Sequence, residues 1–381
     1  MIRNAIVVGA GIGGLACATA LARKGLAVRL LEQAPEIVEV GAGLQISPNG
    51  LAVLQALGLE DAISRSGAVT ARGVVLADYK QGRQVAQLDL TRMKNRRYLF
   101  LHRHSLVQVL AQAAQAARVS IEFGAKVLSV RPGRVPEVEL ADGSAARAEV
   151  IVCADGVHSV GRQAVSPGAE SRFTGQIAWR ATVPAHQPEP VVCVTMGPGR
   201  HLVNYPINDG RSMNIVAVQE RDAWASEGWH HADDPDHLRA AFADFGGAAK
   251  SLLQQVQEVN LWGLFRHPVV ETWHKGHVAL LGDAAHPTLP FLAQGANLAL
   301  EDAWVLSDCL TSGKNPDRYQ GLRHARVAKV IDAASKNAWK YHLPEGPVRS
   351  LAHIGLGLGS KLAPGMMMRQ FDWIYGHDVT R

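Results

Sequence analysis

The sequence predicts an α/β fold: a dinucleotide-binding domain built on a strand-helix-strand unit, a mostly antiparallel sheet inserted into it, and a helical C-terminal tail. Three observations support this fold class. A strand-helix-strand pattern with a glycine-rich turn opens the chain, alternating β-rich segments fill residues 171–270, and a buried strand followed by helical patterning resumes near His277. The 381 residues, 47% hydrophobic and 19% charged, are enough for several globular units.

The pattern divides the chain into four segments. Residues 1–170 and 271–340 would form the first and completing parts of a dinucleotide-binding domain, 171–270 a substrate-binding sheet, and 341–381 the tail. The predicted elements are, in order, a strand at 4–8, a helix at 12–23, a strand at 28–31, a glycine-rich loop at 41–49, helices at 48–57 and 105–116, strands at 120–123, 127–130 and 150–153, a helix at 235–245, a strand at 278–281 and a helix starting at 294–296.

Charge and cysteine usage exclude several classes of protein. The net charge of +5 is scattered along the chain, with no basic block of the kind that binds nucleic acid. The four cysteines lie far apart among apolar neighbours and show no metal-ligand spacing, so we expect buried thiols and no metal. No signal sequence and no membrane span are recognisable, and we expect a cytoplasmic protein.

The first chemical motif is the sequence GAGIGG, which gives Gly9-x-Gly11-x-x-Gly14 directly after a strand and at the start of a helix. In a Rossmann unit the first glycine permits the tight turn, the second lets a pyrophosphate approach the backbone, and the third lets helix and strand pack closely. Glu32 ends the next strand, where a carboxylate accepts hydrogen bonds from a ribose. A glycine-rich turn without a ligand is the alternative, which the position of Glu32 disfavours.

Two further strands end on an aspartate, in IVCADGVHSVGR at Asp155 and in LLGDAAHP at Asp283. Ligands of open α/β sheets bind at this edge, and a carboxylate there can accept hydrogen bonds from a ribityl chain. The helix after Asp283 begins with Gln294-Gly295-Ala296, which leaves backbone N–H groups uncovered at its positive end. A planar ring that carries developing negative charge, such as a reduced flavin, fits that position.

With these motifs, in this order, the chain resembles the group A, single-component FAD-dependent aromatic hydroxylases. The resemblance is closest to the salicylate, 3-hydroxybenzoate and 6-hydroxynicotinate hydroxylases, and it extends to the stretches GAGLQISPN, HRHSL, FTGQIAWR and GPGRHLVNYPI. It covers essentially the whole chain. It implies a Rossmann-type FAD-binding domain of the glutathione-reductase-like kind, with NADH or NADPH as co-substrate and no separate nicotinamide domain.

The resemblance also implies roles for residues around the cofactor. Asp155 and Arg162 belong to the motif that this family links to both FAD and the reduced nicotinamide. The residues expected to bind FAD are Gly9, Gly11, Gly14, Glu32, Arg103, Val127, Asp155, Arg162, Asp283, Gly295 and Ala296.

For the reaction, the resemblance implies reduction of FAD by NAD(P)H, formation of a flavin C4a-hydroperoxide with O2, and transfer of one hydroxyl to an electron-rich ring. A base near a phenol would raise the nucleophilicity of that ring. His201 and Tyr205 are four residues apart on a predicted strand, so both face the same side. They match the family's substrate-side pair and are expected to be catalytic, although a packing histidine and tyrosine are the alternative.

Gln45, Pro290 and Phe291 complete the predicted ring pocket. Some relatives carry a histidine or glutamine where this chain has Leu289-Pro290-Phe291, which argues against carrying over one relative's substrate. Two other functions remain open on the sequence: an epoxidase or tailoring oxygenase acting on a larger ring, and a flavin-binding sensor without turnover. The resemblance further implies a homodimer.

Overall fold

The computed structural model describes residues 2–37, 43–93, 96–168, 170–221, 231–313 and 316–381. Its strands are, in chain order, β1 (Asn4–Val8), β2 (Ala27–Leu31), β3 (Gly43–Ile46), β4 (Val69–Thr70), β5 (Gly73–Asp78), β6 (Gln84–Asp89), β7 (Leu99–His102), β8 (Ser120–Glu122), β9 (Val127–Arg131), β10 (Glu137–Leu140), β11 (Ala145–Arg147), β12 (Val150–Cys153), β13 (Arg172–Pro184), β14 (Val191–Gly197), β15 (Arg200–Ile207), β16 (Ser212–Glu220), β17 (His231–Asp233), β18 (Val259–Arg266), β19 (His274–Lys275) and β20 (Val278–Leu280).

The helices are, in chain order, α1 (Ile12–Arg23), α2 (Pro48–Ala56), α3 (Glu60–Arg65), α4 (Arg103–Ala116), α5 (Val160–Val165), α6 (Pro235–Ala241), α7 (Gly247–Gln254), α8 (Gly295–Thr311), α9 (Pro316–Ala338), α10 (Pro347–Leu362), α11 (Pro364–Arg369) and α12 (Asp372–Tyr375). Short 3-10 turns follow β6, β15 and β20 and lie before α8 and α10.

The central sheet has the strand order β19-β20-β12-β1-β2-β8. Its inner strands run parallel, and β1 lies between β12 and β2. The all-apolar strands β12 and β20 are fully buried, as expected for a parallel sheet covered on both faces by helices. Helix α1 packs on this sheet, α4 and α8 pack on α1, and together they contribute to the largest hydrophobic core.

The second large sheet has eight strands in the order β17-β18-β13-β16-β15-β14-β5-β6. Its pairs are antiparallel except for β14 and β5, which run parallel. Strands β5 and β6 come from residues 73–89, before the segment at 171–270 that alternation indicated. The four-segment division of the chain remains a prediction.

Two local expectations were wrong. The loop predicted at 41–49 contains β3, which pairs with β7 from Gly43↔His102 onward, and Gly41 and Ala42 lie outside the described residues. The helix predicted at 235–245 ends earlier, since α6 stops at Ala241, and a second helix, α7, begins only at Gly247. Glycines are required where α7 starts, because Gly247 has φ +59 and because a Cβ at Gly246 would lie 2.0 Å from the carbonyl oxygen of Lys80.

A buried ion network joins α8 to α9. The guanidinium of Arg323 bonds to the carboxylates of Glu301 and Asp302, and the Asp302 bond is 2.7 Å long. Arg326 donates to Glu301 at 2.8 Å, and His286 lies 2.5 Å from Asp302. These charges lower the pKa of both carboxyl groups although burial alone would raise it. His286 is therefore part of this structural network.

Candidate active site

The first glycine turn has the geometry that a pyrophosphate requires. Gly9 has φ +97, and a Cβ at Gly14 would lie only 1.9 Å from the carbonyl oxygen of Gly9. Around a Cβ at Gly11, by contrast, no protein atom lies within 4 Å, and Gly11 lines the large cavity of the molecule. Gly9 and Gly14 therefore shape the turn, while Gly11 leaves the backbone open on the side where a phosphate would bind.

The carboxylate of Glu32 lies beside this turn. Its two oxygens accept hydrogen bonds from the backbone N–H groups of Ala10, at 2.7 Å, and Ala34, at 2.9 Å. The side chain is thus fixed at the end of β2, next to the glycine turn. Each oxygen keeps one lone pair that a ribose hydroxyl can use.

The two strand-end aspartates behave differently. Asp155 is engaged by its own turn, since it accepts from Ser159 Oγ at 2.5 Å and from the Gly161 N–H at 3.2 Å. Arg162 donates from Nε to the carbonyl oxygen of Ala284 at 2.7 Å and from its guanidinium to the carbonyl oxygen of Asp283. Arg162 therefore holds the two strand ends together.

Asp283 and Arg103 both line the cavity, and their charges interact. Burial raises the pKa of the Asp283 carboxyl, and the nearby His286 together with the positive charges of Arg103 and Arg162 opposes that rise. Desolvation likewise lowers the pKa of Arg103, and Asp283 opposes it. An acceptor and a donor for a ribityl and pyrophosphate chain are thus available at the cavity wall.

Helix α8 also begins at the cavity wall. No side chain caps its N-terminus at Gln294, and Gly295 and Ala296 line the cavity. A Cβ at Gly295 would lie 2.7 Å from Thr288 Oγ1, so the preceding loop packs closely against the helix start. This leaves uncovered N–H groups and the positive end of a 17-residue helix at the cavity wall. The donors, acceptors and open glycine along this cavity fit FAD.

The cavity has a volume of about 770 Å³ and continues from the glycine turn to the inner face of the eight-stranded sheet. This volume lies in the upper part of the range of about 300–1,000 Å³ found for ligand sites, and it suits a cofactor ring together with a substrate. Of the residues predicted from sequence, those that line it together are Gly11, Gln45, Arg103, His201, Tyr205, Asp283, Pro290, Phe291, Gly295 and Ala296. Gly9, Gly14, Glu32, Val127, Asp155 and Arg162 are not among the lining residues.

His201 and Tyr205 lie on β15, and both are almost completely buried. Burial, reinforced by the nearby His342, lowers the pKa of His201 well below its usual value, so its imidazole is neutral at pH 7. Burial raises the pKa of Tyr205, which the positive charge of Arg180 and hydrogen bonds with Gln45 and Asn214 oppose. A neutral imidazole and a protonated phenol thus face the cavity together.

The tyrosines that line the cavity are Tyr98, Tyr205, Tyr341 and Tyr375. The hydroxyl of Tyr98 donates to Gln45 Oε1 at 2.8 Å, and the ring of Tyr98 meets that of Tyr375 edge to face with centroids 5.8 Å apart. The ring of Tyr341 lies 5.2 Å from that of His201. The tail beyond residue 340 therefore closes the cavity, a contribution that its sequence did not indicate.

Arg180 is the main site residue that sequence reasoning missed. It projects from β13 into the cavity, and its guanidinium carbon lies 4.7 Å from the ring centroid of Trp262. Burial lowers its pKa to about 10, so it keeps its positive charge at pH 7. The stretch FTGQIAWR had been noted as a motif, but no role was given to its arginine.

No helix among the described residues has the length and apolar character that crossing a membrane requires. In the same part of the chain, no group of three or more His, Cys, Asp or Glu side chains is arranged to hold a metal ion.

An α/β architecture with an open glycine turn and an uncapped helix N-terminus on one cavity is that of a flavin-binding protein. The family model described as "FAD binding domain" matches residues 3–334. The chain belongs to this family.

The chain is also similar to curated enzymes. The 3-amino-4-hydroxybenzoate 2-monooxygenase of Streptomyces cremeus is 36% identical over 355 residues, which cover 90% of this chain and 88% of that protein. The 3-hydroxybenzoate 6-hydroxylase of Polaromonas naphthalenivorans (strain CJ2) is 32% identical over 398 residues, covering 98% and 96%. A solved substrate complex of salicylate hydroxylase superimposes with a TM-score of 0.81 at 22% identity, covering 100% of this chain and 96% of that one.

These findings confirm the fold class, the FAD cofactor and the resemblance predicted from the sequence. The chain is an FAD-dependent aromatic monooxygenase that uses NADH or NADPH. They give no support to the epoxidase or sensor interpretations.

Proposed function

We propose that this monooxygenase hydroxylates a small aromatic or heteroaromatic acid that already carries a ring hydroxyl. The observation that supports this substrate class is the pairing, in one cavity, of a buried cation, Arg180, with a buried neutral base, His201. A substrate carboxylate needs a cation as its binding partner, and a phenol needs a base that can accept its proton. The related enzymes named above act on hydroxybenzoates, which have both groups.

In this proposal each cavity residue has a separate role. Arg180 binds the substrate carboxylate and is itself held by stacking on Trp262. His201 accepts the proton of the ring hydroxyl, while Tyr205 and Gln45 orient that hydroxyl by hydrogen bonds. Removal of the proton makes the ring a stronger nucleophile. Phe291 and Pro290 form an apolar wall that excludes water from the ring.

The cofactor would be held by the residues predicted from the sequence. Gly11 and Arg103 would contact the pyrophosphate, Glu32 the ribose, and Asp283 the ribityl chain. Gly295 and Ala296, at the start of α8, would support the carbonyl edge of the flavin. FAD, when bound and reduced by NADH or NADPH, supplies the activation of O2, and the protein supplies orientation and proton transfer.

The test is oxidation of NADH and NADPH by the FAD-loaded protein with a panel of hydroxybenzoates, salicylate, aminohydroxybenzoates and hydroxypyridine carboxylates, with hydrogen peroxide and product assayed together. We expect at least one acid to stimulate oxidation with product equal to the nicotinamide consumed. The matched phenol without a carboxylate should have a KM at least tenfold higher than that of the acid. Arg180→Met should abolish this difference, because the substitution removes the positive charge that binds the carboxylate. Slow oxidation that yields only peroxide with every acid would contradict the proposal.

We also propose a homodimer located in the cytoplasm. Helix α10 supports the dimer, because Val348, Leu351, Ile354, Leu358 and Leu362 follow helical spacing along one face and are all more than half exposed. Light scattering should give the mass of two chains, and Leu351→Glu should give that of one. A wild-type protein with the mass of a single chain at micromolar concentration would contradict the dimer.

A further inference from the structure

Three side chains form a continuous hydrogen-bonded line from the cavity to the protein surface. His201 Nδ1 lies 2.6 Å from His342 Nε2, and His342 Nδ1 lies 2.7 Å from Glu220 Oε1. His201 lines the cavity and His342 is buried, whereas the Glu220 side chain is 52% exposed. The line therefore begins where the ring would bind and ends in solvent.

The backbone fixes the outer part of this line. The Gly199 N–H donates to the carbonyl oxygen of His342 at 3.2 Å, and the Glu220 N–H donates to the carbonyl oxygen of Gly199 at 2.8 Å. His342 precedes α10 and Glu220 ends β16, so two separate elements are held together at this point. The imidazole and the carboxylate are thereby positioned without the help of a ligand.

The chemistry of the three groups determines where the protons are. An ionised carboxylate only accepts hydrogen bonds, so His342 must carry its proton on Nδ1. Its Nε2 is then an acceptor, and His201 must donate to it from Nδ1. The lone pair of His201 is consequently on Nε2, the one ring nitrogen that this line does not use.

We propose that His201, His342 and Glu220 form a proton relay that connects the substrate hydroxyl with solvent. The inference rests on the proposed function, since it assigns a route to the proton that a ring hydroxyl loses. The ring O–H bond breaks as an N–H bond forms at His201 Nε2. The Nδ1 proton of His201 passes to His342 Nε2, and the Nδ1 proton of His342 passes to Glu220 and then to water.

The balance of the step is one proton moved from the ring oxygen to solvent, with no change in oxidation state. The same line in reverse returns a proton to the product oxygen and restores both imidazoles to their starting tautomers. His201 contacts the substrate in this scheme and is catalytic. His342 and Glu220 act through it and are positioning residues.

The surroundings of His201 favour transfer over storage of a proton. Its ring neighbours are Phe291, with centroids 6.0 Å apart, Tyr341 and His342. Burial raises the pKa of Tyr341, so that phenol stays neutral, and Lys336 and Lys340 also line the cavity. Lys336 is itself paired with Asp332 at 2.7 Å. Because none of the three ring neighbours is an anion that would stabilise an imidazolium on His201, a proton accepted there must move on. Glu220 opposes the burial that lowers the pKa of His342, which makes His342 the better proton acceptor.

The test uses a chromophoric phenol on the FAD-loaded protein without NADH or NADPH, so that no turnover occurs. The probe is 4-hydroxy-3-nitrobenzoate, whose phenolate absorbs visible light. A stopped-flow pH jump of the bound complex measures how fast the hydroxyl ionises in H2O and in D2O. The variants are His342→Gln and Glu220→Gln, and the matched controls are His231→Gln and Glu258→Gln, at two exposed positions outside the line.

We expect His342→Gln to slow ionisation at least tenfold and Glu220→Gln to slow it less, because solvent can partly replace a surface carboxylate. Probe affinity should stay within about twofold of wild type, because neither side chain touches the ring, and the controls should match wild type. Unchanged rates and isotope effects in both variants would overturn the relay. A wild-type protein that does not bind the probe or any hydroxylated aromatic acid would instead refute the proposed function.

A second measurement tests the proton relay even if the protein binds no hydroxylated aromatic acid. Nitrogen NMR of the protein labelled in its histidines should show His201 and His342 both protonated on Nδ1. Glu220→Ala should remove that preference at His342, because the acceptor is gone. A wild-type His201 protonated on Nε2 would overturn the proposal whatever the substrate is.

Discussion

Replacement of Gly11 by alanine should remove FAD from a protein that is still folded. The backbone of Gly11, at φ −73 and ψ −179, is accessible to alanine, and no protein atom lies within 4 Å of the new Cβ. The Cβ would stand on the cavity side of the turn, where the pyrophosphate must approach. Gly14→Ala is the contrasting variant, since its Cβ would lie 1.9 Å from the carbonyl oxygen of Gly9.

The magnitudes follow from these contacts. In Gly11→Ala, a weaker helix cap costs about 0.5–1 kcal/mol and the reduced freedom of the unfolded chain returns about 0.4–1 kcal/mol, so stability should hardly change. Each hydrogen bond from the turn to a phosphate that the methyl group prevents costs about 1.5–3 kcal/mol, or roughly a 10- to 150-fold loss of FAD affinity. In Gly14→Ala, the overlap should cost about 3 kcal/mol or more in unfolding free energy.

The assay pairs FAD titration, followed by quenching of flavin fluorescence, with urea unfolding of the FAD-free protein. We expect Gly11→Ala to lose affinity with an unchanged unfolding midpoint, and Gly14→Ala to unfold at lower urea. If Gly11→Ala bound FAD as tightly as wild type, the cofactor would not approach this turn, and the assignment of the cradle would be refuted.

Three further predictions concern the buried groups. Arg323→Met should lower the unfolding free energy by about 3–5 kcal/mol, measured by urea unfolding, because Glu301 and Asp302 would remain buried without their main partner. The folded-state pKa of Glu301 and of Asp302 is depressed, so both carboxylates stabilise the fold at neutral pH, and this stabilisation is lost as pH falls below their ordinary pKa values of 4.5 and 3.8. The urea midpoint of the wild-type protein should therefore decrease between pH 6 and pH 3, and that of Arg323→Met should decrease less. Burial raises the pKa of Cys17 to about 12, so a thiol reagent at pH 8 should modify the half-buried Cys193 first and Cys17 only when the protein unfolds. Mass spectrometry of the labelled peptides measures this order, and early labelling of Cys17 would contradict the prediction.

Local chemistry made the first part of the fold predictable. The expected strand at 4–8 and helix at 12–23 have the same bounds in the structure, because an apolar run, a glycine turn and an Ala/Leu-rich stretch each favour one conformation. The predicted strand at 150–153 also has the bounds of β12. Where residues close in sequence determine the structure, the sequence was sufficient.

The failures come from pairing between distant residues. No pattern near β5 shows that it adds to a sheet built mainly from residues 172–266, since its partner β14 begins at Val191, opposite Gly73. Arg180 and His342 gain their importance from what they face across the cavity, namely Trp262 and His201. A sequence without an alignment carries no record of such contacts, so these residues emerged only from the structure.

The arrangement of β12 and β20 beside β1 has a consequence for synthesis of the protein on the ribosome. Strand β1 is among the first segments to leave the exit tunnel, yet β12 follows about 150 residues later and β20, next to β12, only at Val278. Likewise, β5 is synthesised more than a hundred residues before β14, the strand with which it pairs. The growing chain therefore carries unpaired apolar strands for most of its translation, and we expect its yield in cells to depend on chaperones that bind such segments until Leu280 has emerged.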